Sequence, residues 1–225
     1  MVDAERIKKA TAELLSSIPG HVTVVAAAKM HPPGAILAAV EAGIKVVGEN
    51  YVQEARQKVD VIGRRVRWHL IGSLQKNKVK HAVELFDLIE TVDSWGLAEA
   101  IDQRCAAMHR VMPVLVEINS GREPNKSGVL PEEAEDLLRR IARLKHIQVQ
   151  GLMTMGPLLD DAEEYRPYFR LTKTLFDDLA AARIPGVKME YLSMGMSDSY
   201  RVAIEEGANI VRIGTAIFGP RPPRA

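Results

Sequence analysis

The sequence has few of the features that mark secreted or nucleic-acid-binding proteins. Of its 225 residues one is a cysteine, Cys105, which excludes an internal disulfide; its helical surroundings predict a small buried hydrophobe. Lysine and arginine together number 30 against 29 acidic residues, so no basic excess attracts a polyanion. Nucleic acid is therefore not expected as a partner.

Long apolar stretches are missing as well. No run approaches the roughly 18 residues of a membrane-spanning helix, and the first residues, MVDAERIKK, mix acids with bases where a signal peptide would continue into an apolar core. No grouping of His, Cys, Asp and Glu has metal-ligand spacing, and no Ser-His-Asp or nucleophile-elbow pattern occurs. We expect a cytoplasmic protein with no membrane partner and no metal.

What the chain does contain is a regular alternation of short apolar segments and amphipathic ones. A leading helix follows Asp3, a typical N-cap, and ends at Pro19-Gly20. Eight strands are predicted at 22–28, 44–47, 66–71, 86–90, 111–118, 147–152, 187–192 and 209–213. Helices are predicted between them at 36–42, 51–61, 76–83, 95–108, 132–144, 162–182 and 197–206, with a short one from Thr215.

This pattern predicts an α/β fold, a (β/α)8 TIM-type barrel, as a single domain over residues 1–225 with an N-terminal helix. An open doubly wound sheet is the alternative. It usually has fewer strands, and no Gly-x-Gly-x-x-Gly turn follows the first strand to suggest a dinucleotide.

The first predicted strand ends in a single lysine. The stretch HVTVVAAAKMHPP, residues 21–33, is a β-branched apolar run that stops at Lys29 and two prolines. Alternation along a strand places Lys29 on the face of Thr23, Val25 and Ala27. An amine beside such small side chains is partly desolvated and becomes a candidate nucleophile for a carbonyl. The alternative is a lysine with a packed stem and a solvated head.

Active sites of such barrels lie where the strands end, and the predicted strand ends carry many polar residues. In chain order they are Lys29, Glu49, Asn50, His69, Glu90, Asp93, Glu117, Asn119, Met153 to Met155, Ser193 to Gly195, Arg212, Gly214 and Thr215.

The last two strand exits, LSMGMSDS and RIGTAIFG, predict a phosphate site. Barrels often hold a phosphate at this place against loop amides and a short helix. Ser193 offers a hydroxyl, while Gly195 and Gly214 allow backbone amides to approach an anion closely. For either loop alone the glycines could be ordinary turn residues; the two loops together favour a phosphate.

Two further side chains are expected at the barrel mouth. Arg212 lies between Val211 and Ile213, so it points inward if its neighbours face the helices. Its alternative role is an ion pair with a rim acid such as Glu49 or Glu117. His69 is expected on the inner side too, where a lone histidine is more often a hydrogen-bonded rim residue than an acid or base. A strand-end lysine, a phosphate site and a polar side chain for a heterocycle together suit pyridoxal 5′-phosphate (PLP).

With these residues assembled, the sequence resembles the pyridoxal phosphate homeostasis protein family, single-domain relatives of the alanine racemase barrel. The resemblance covers nearly the whole chain. It rests on VVAAAK at Lys29, then GENYVQE, WHLIGSLQKNK, NKSG, LSMGMSDSY and IVRIGTAIFG, in that order.

The resemblance implies a covalent Schiff base between PLP and Lys29, with Arg212 at the pyridine nitrogen. It also implies that Ser193, Gly214 and Thr215 hold the phosphate and that Asn50 lines the ring. His69 is included among the expected cofactor-binding residues. The implied function is to carry or buffer PLP in vitamin B6 homeostasis, with PLP-dependent apoenzymes as possible partners, as a monomer or weak homodimer, without substrate turnover.

Two enzymatic alternatives remain open at the sequence level. Related racemases add a β-rich domain that brings a catalytic tyrosine; here the sequence ends at GPRPPRA, just past the eighth predicted strand, so we expect one of the two required bases to be missing. Arg212 at the ring nitrogen would leave that nitrogen unprotonated and the ring a poorer electron sink. A class I aldolase would instead form its Schiff base with the substrate and purify colourless.

Overall fold

The computed structural model describes residues 2–220, and its centre is a closed barrel of eight parallel strands in sequence order. The strands are β1 (Thr23–Ala27), β2 (Val46–Glu49), β3 (Arg67–Leu70), β4 (Leu88–Val92), β5 (Met112–Ile118), β6 (Ile147–Thr154), β7 (Val187–Ser193) and β8 (Ile210–Ile213). β8 pairs with β1, which closes the ring. The predicted barrel is confirmed, and the open doubly wound sheet is excluded.

A ring of helices surrounds the strands. The helices are α1 (Ala4–Ser17), α2 (Pro33–Glu41), α3 (Val52–Ile62), α4 (Val79–Leu85), α5 (Trp95–Ala106), α6 (Ala134–Ile141), α7 (Arg166–Ala181), α8 (Tyr200–Glu205) and α9 (Thr215–Phe218). The predicted N-cap is present, since the Asp3 carboxylate accepts a hydrogen bond from the Arg6 amide at 3.0 Å. No helix within residues 2–220 is long and apolar enough to cross a membrane.

The strands bury both of their faces, as a parallel sheet covered by helices requires. Side chains such as Val24, Ala26 and Trp68 pack outward in the shell between strands and helices. Val25, Val46 and other inward side chains fill the barrel interior in small clusters. The alternation predicted for β1 is therefore confirmed, with Val25 and Ala27 on the inner face.

The strand boundaries differ from the prediction by one or two residues. The second strand begins at Val46 rather than at residue 44, and the fourth at Leu88 rather than at residue 86. Ile44 and Phe86 are buried in the outer shell. An apolar pattern reports burial and not strand pairing, so these residues were included in the predicted strands.

The barrel is irregular between β6 and β7, where the register shifts between Val149 and Gly151. Gly151 has a φ of +146°, and a Cβ there would lie 1.8 Å from the Tyr191 carbonyl oxygen. Only glycine fits this position. The predicted domain of residues 1–225 includes residues 1 and 221–225, which lie outside the described residues, as does most of the GPRPPRA ending.

Candidate functional site

Lys29 lies two residues past the end of β1, at the carboxyl end of the barrel. Its side chain is half-buried, and Nζ lies 5.2 Å from the centroid of the Tyr51 ring. It lines a cavity of about 320 Å³, here named the Lys29 pocket, a size typical of small-molecule sites. The pocket is lined by Ala27, Lys29, His31, Asn50, Ile71, Met155, Leu158, Met196, Ser197, Asp198, Arg212, Gly214 and Thr215.

A buried ion cluster holds the turn that carries Lys29. Lys58 Nζ on α3 donates to the Ala28 carbonyl oxygen at 2.9 Å and to Glu49 Oε1 at 2.6 Å. Glu54 Oε2 accepts from the Met30 amide at 3.1 Å. The backbone on both sides of Lys29 is thus held by two side chains of α3, and Glu49 of β2 holds one of them, Lys58.

The turn needs this support because Met30 has a left-handed backbone, with φ of +64°, which non-glycine residues rarely adopt. Burial raises the pKa of Glu49 to about 7, although the Lys58 ammonium acts in the opposite direction. Lys58 was not among the residues predicted for the site. The available signal was Glu54 four residues before it, a pair that helices bring together.

Arg212 points into the barrel from β8 and is buried, with 3% of its surface exposed. Nη1 donates to Ser193 Oγ at 2.6 Å, and Nη2 donates to the Thr154 carbonyl oxygen at 2.7 Å. Neither Glu49 nor Glu117 lies within ion-pair distance of it among the described residues. The alternative of a direct ion pair with one of these two acids is wrong.

The buried carboxylate of Glu90 on β4 lies behind Arg212. It accepts from Ser193 Oγ at 2.6 Å, and its other oxygen lies 2.7 Å from His69 Nδ1. Burial alone would raise the pKa of Glu90, but the hydrogen bond and charge of His69, with Arg212 and Ser193, hold it below the usual value. Because Glu90 is then ionised, His69 Nδ1 is the donor. We name the side chains of His69, Glu90, Ser193 and Arg212 the Glu90 chain.

The Glu90 chain places the Arg212 charge at the floor of the Lys29 pocket. Burial lowers the pKa of the guanidinium, and the carboxylates of Glu90 and Glu117 oppose that shift. Guanidinium is still charged under any ordinary condition, so its remaining donors favour an acceptor in the pocket.

Five of the seven residues predicted for the site surround this one pocket: Lys29, Asn50, Arg212, Gly214 and Thr215. The other two do not line it. Ser193 is fully buried, and its hydroxyl donates to Glu90 and accepts from Arg212. A hydroxyl with both roles occupied is not free for a phosphate, so we correct the predicted role of Ser193 to a support of Arg212.

His69 also lies elsewhere than predicted. It faces a cavity at the opposite, amino-terminal end of the barrel, together with Thr23, Arg67 and Ile210, and its ring is bound to Glu90. The expectation that it contacts the cofactor is corrected for this reason. The inward direction of its side chain is as predicted, but β3 delivers it one layer below the rim.

Ser197 takes the place at the pocket that sequence analysis gave to Ser193. Its Oγ accepts from the amides of Gly214 and Ala216, at 3.2 and 3.3 Å, where β8 passes into α9. It thereby joins the two glycine-containing loops at the pocket wall. The motif LSMGMSDS contained the signal, because it holds more than one serine at the exit of β7.

A second cavity of about 350 Å³ adjoins the first and shares Met155, Leu158 and Met196 with it. We name it the Glu117 pocket, after the carboxylate that β5 directs into it. It is lined by Ser73, Glu117, Ile118, Asn119, Ser120, Asn125, Lys126, Ser127, Met155, Gly156, Pro157, Leu158 and Met196. Burial, with the Asp93 charge, raises the pKa of Glu117 to about 7 against the effect of Arg212.

The fold and the lysine at the end of its first strand define a barrel of the alanine racemase type. Residues 2–222 match the model of the alanine racemase N-terminal domain family. An alanine racemase of Clostridium difficile 630 superposes with a TM-score of 0.81 at 17% identity, covering 98% of this chain and 58% of that chain. Identity at that level shows the fold alone.

Two nearer relatives narrow the assignment. A protein of Aquifex aeolicus (strain VF5), named pyridoxal phosphate homeostasis protein, is 42% identical over 218 residues, which are 96% of this chain and 94% of that protein. PipY of Synechococcus elongatus PCC7942, solved with PLP bound, has a TM-score of 0.87 at 36% identity and covers 95% of this chain and 100% of its own. This chain belongs to the pyridoxal phosphate homeostasis protein family.

Proposed function

We propose that this protein binds PLP as a Schiff base on Lys29 and carries or buffers it in vitamin B6 homeostasis. The observation that supports this most is that a lysine amine and a buried guanidinium, brought by neighbouring strands β1 and β8, line one pocket. The homeostasis protein named for Aquifex aeolicus and the PLP-bound PipY structure support the same choice of cofactor.

The residues present fit the group. Arg212 keeps a desolvated positive charge at the pocket, which suits a hydrogen-bond acceptor such as a pyridine nitrogen. Asn50 stands at the pocket wall beside the ring's expected place. A Cβ on Gly72 would lie 2.5 Å from the Asn50 carbonyl oxygen, so glycine at 72 permits the position of Asn50. When bound, PLP supplies an aldehyde that condenses reversibly with primary amines.

We assign the phosphate to the loops after β7 and β8. Gly214 and Thr215 line the pocket there, and Ser197 Oγ ties the Gly214 and Ala216 amides to the β7 loop. The short helix α9 starts at Thr215. This is the place at which barrels commonly bind phosphate.

The proposed function excludes rapid amino-acid turnover. The Arg212 guanidinium keeps its protons and only donates a hydrogen bond, so it does not protonate the ring nitrogen and does not make the cofactor a strong electron sink. In this role the protein holds PLP and passes it to PLP-dependent apoenzymes in the cytoplasm. It acts as a monomer or weak homodimer.

The test is a visible spectrum of freshly purified protein, then borohydride reduction and peptide mapping. We expect a yellow protein with the reduced adduct on Lys29, and a Lys29→Ala variant that folds but lacks the band. Lys80→Ala, an exposed lysine on α4, is the matched control and should keep it.

Two outcomes contradict the proposal. An adduct on Lys58, the other lysine near Ala28, would make the Lys29 assignment wrong. A protein that stays colourless after added PLP would remove the cofactor and leave a Schiff-base aldolase to be tested. Fast racemisation of alanine by the yellow protein would show that it is a racemase and not a carrier.

A further inference from the structure

The Glu117 pocket lies beside the Lys29 pocket and has no role in the cofactor binding proposed above. The two cavities share three wall residues, Met155, Leu158 and Met196. The far walls of the Glu117 pocket come from the end of β5 and from the loop at Asn125 to Ser127. A molecule held there would be next to Lys29.

The carboxylate of Glu117 is the unusual feature of this pocket. It is 93% buried, since 7% of its surface is exposed, and Oε2 has no hydrogen-bond partner among the described residues. Val116 and Ile118 on either side of it pack outward in the shell, so Glu117 points inward. A buried carboxylate without donors is unfavourable unless something else satisfies it.

No described side chain lies within hydrogen-bond distance of Glu117 Oε2, although the charge of Arg212 acts on this carboxylate. Lys126, on the same pocket, has Nζ at 2.6 Å from Glu123 Oε2 and donates to the Gly156 carbonyl oxygen at 3.3 Å. Arg212 donates to Ser193 and Thr154. No group of three or more His, Cys, Asp and Glu residues within 2–220 could hold a metal ion. An organic cation that carries its own donors would satisfy this oxygen.

We propose that the Glu117 pocket binds a small primary amine through its ammonium group. Three N–H donors and one positive charge match a single buried carboxylate. Ser73, Asn119 and Ser127 add neutral polar groups, while Met155 and Leu158 provide apolar walls for a short carbon chain. An amino acid and a simple alkylamine share this chemistry.

The placement connects this site to the cofactor, and this step rests on the proposed function. With PLP held on Lys29, the aldehyde carbon would be able to exchange the lysine nitrogen for the nitrogen of an amine bound at Glu117. The C=N bond to Lys29 would break as one to the ligand nitrogen forms. Two hydrogens would pass from the ligand nitrogen to the lysine nitrogen, and Glu117 would take the third proton of the ammonium. A pKa of about 7 allows Glu117 to accept that proton near neutral pH.

The experiment is a ligand-observed NMR titration of the full chain, freed of PLP, with L-alanine, ethylamine and propionate. We expect both amines to bind more tightly than propionate, and Glu117→Gln to weaken amine binding at least tenfold. Glu133→Gln, an exposed acid at the start of α6, is the control and should bind like the unchanged protein. A preference for L-alanine would identify amino acids as the ligand, and a preference for ethylamine would identify simple amines.

Equal amine affinity in Glu117→Gln, or no amine binding to the unchanged protein, would overturn the inference. Circular dichroism and a urea midpoint show that the variant is folded. Adding PLP to the same samples tests the proposed function separately: Glu117→Gln should still form the yellow adduct. If the protein binds amines but never turns yellow with PLP, the proposed function is wrong and the amine site is supported.

Discussion

Glu90 and Glu117 lie on neighbouring strands, both point into the barrel and both are buried, yet their chemistry differs. Glu90 has His69 Nδ1 at 2.7 Å, Ser193 Oγ at 2.6 Å and the charge of Arg212, and its pKa is lowered. Glu117 has an unpartnered oxygen, and its pKa is raised to about 7. Burial acts on both in the same direction, so the donors within reach decide the sign.

This difference separates a structural group from one available to a ligand. Within the Glu90 chain, both carboxylate oxygens of Glu90 and the hydroxyl of Ser193 already have hydrogen-bond partners among the other members. Its effect on the Lys29 pocket passes through Arg212 alone. The Glu117 pocket keeps an open acceptor beside that pocket.

Of the substitutions that test this comparison, removing Glu90 should have the largest effect on stability. Glu90→Ala removes the stronger of the two carboxylate charges that act on the buried Arg212, so we expect the free energy of unfolding to fall by about 3 to 5 kcal/mol, measured by urea denaturation. Glu99→Ala, an exposed acid on α5, should change it by less than about 0.5 kcal/mol. A loss below about 1 kcal/mol for Glu90→Ala would show that Arg212 does not depend on this carboxylate; Glu90→Gln replaces it if the alanine variant does not fold.

The pH dependence of stability tests Glu117, the second of the two carboxylates compared. The pKa of Glu117 in the folded protein, about 7, exceeds its ordinary value of 4.5, so its contribution to stability is fully present below pH 4.5 and is lost as pH rises through 7. Glu49 behaves in the same way. Between pH 5 and pH 8, Glu117→Gln should lose less stability than the unchanged PLP-free protein, by about 2 to 3 kcal/mol.

Urea midpoints at both pH values measure this difference. Glu133→Gln should show the full slope, because its carboxylate is exposed. Parallel slopes for Glu117→Gln and the unchanged protein would mean that the Glu117 carboxylate finds a partner in solution.

The smallest effect tests the link within the Glu90 chain. Ser193→Ala removes the hydroxyl between Glu90 and Arg212 but keeps both charges, so we expect a loss of about 1 to 2 kcal/mol in the free energy of unfolding. Ser16→Ala on the exposed face of α1 is the control and should be near neutral. A loss as large as that of Glu90→Ala would show that the hydroxyl, and not the carboxylate, holds Arg212.

Much of the fold follows from local pattern. The β-branched run before Lys29 and the apolar periodicity of the helices predict all eight strands in their order, because burial in this fold repeats with the period of each element. The errors at Ile44 and Phe86 arise where a buried residue lies beside a strand without pairing in it.

The candidate site was predicted less completely. Lys29, Asn50, Gly214 and Thr215 could be found because each follows a strand end, and these ends meet at one rim. His69 and Ser193 were misplaced since inward residues of a barrel stack in layers, and the sequence does not show in which layer a strand places its side chain. Lys58 was missed because its buried position depends on how α3 docks on β2.

The sequence by itself determined the alternation of elements, the inward direction of Arg212 and the lysine at the end of β1, since these depend on residues close together in the chain. Only the tertiary structure decided that Glu90 meets Ser193, 103 positions away, while Glu117 Oε2 meets no donor within residues 2–220. The partner of a buried carboxylate depends on which strands face it across the barrel, and closure of the barrel alone fixes that arrangement.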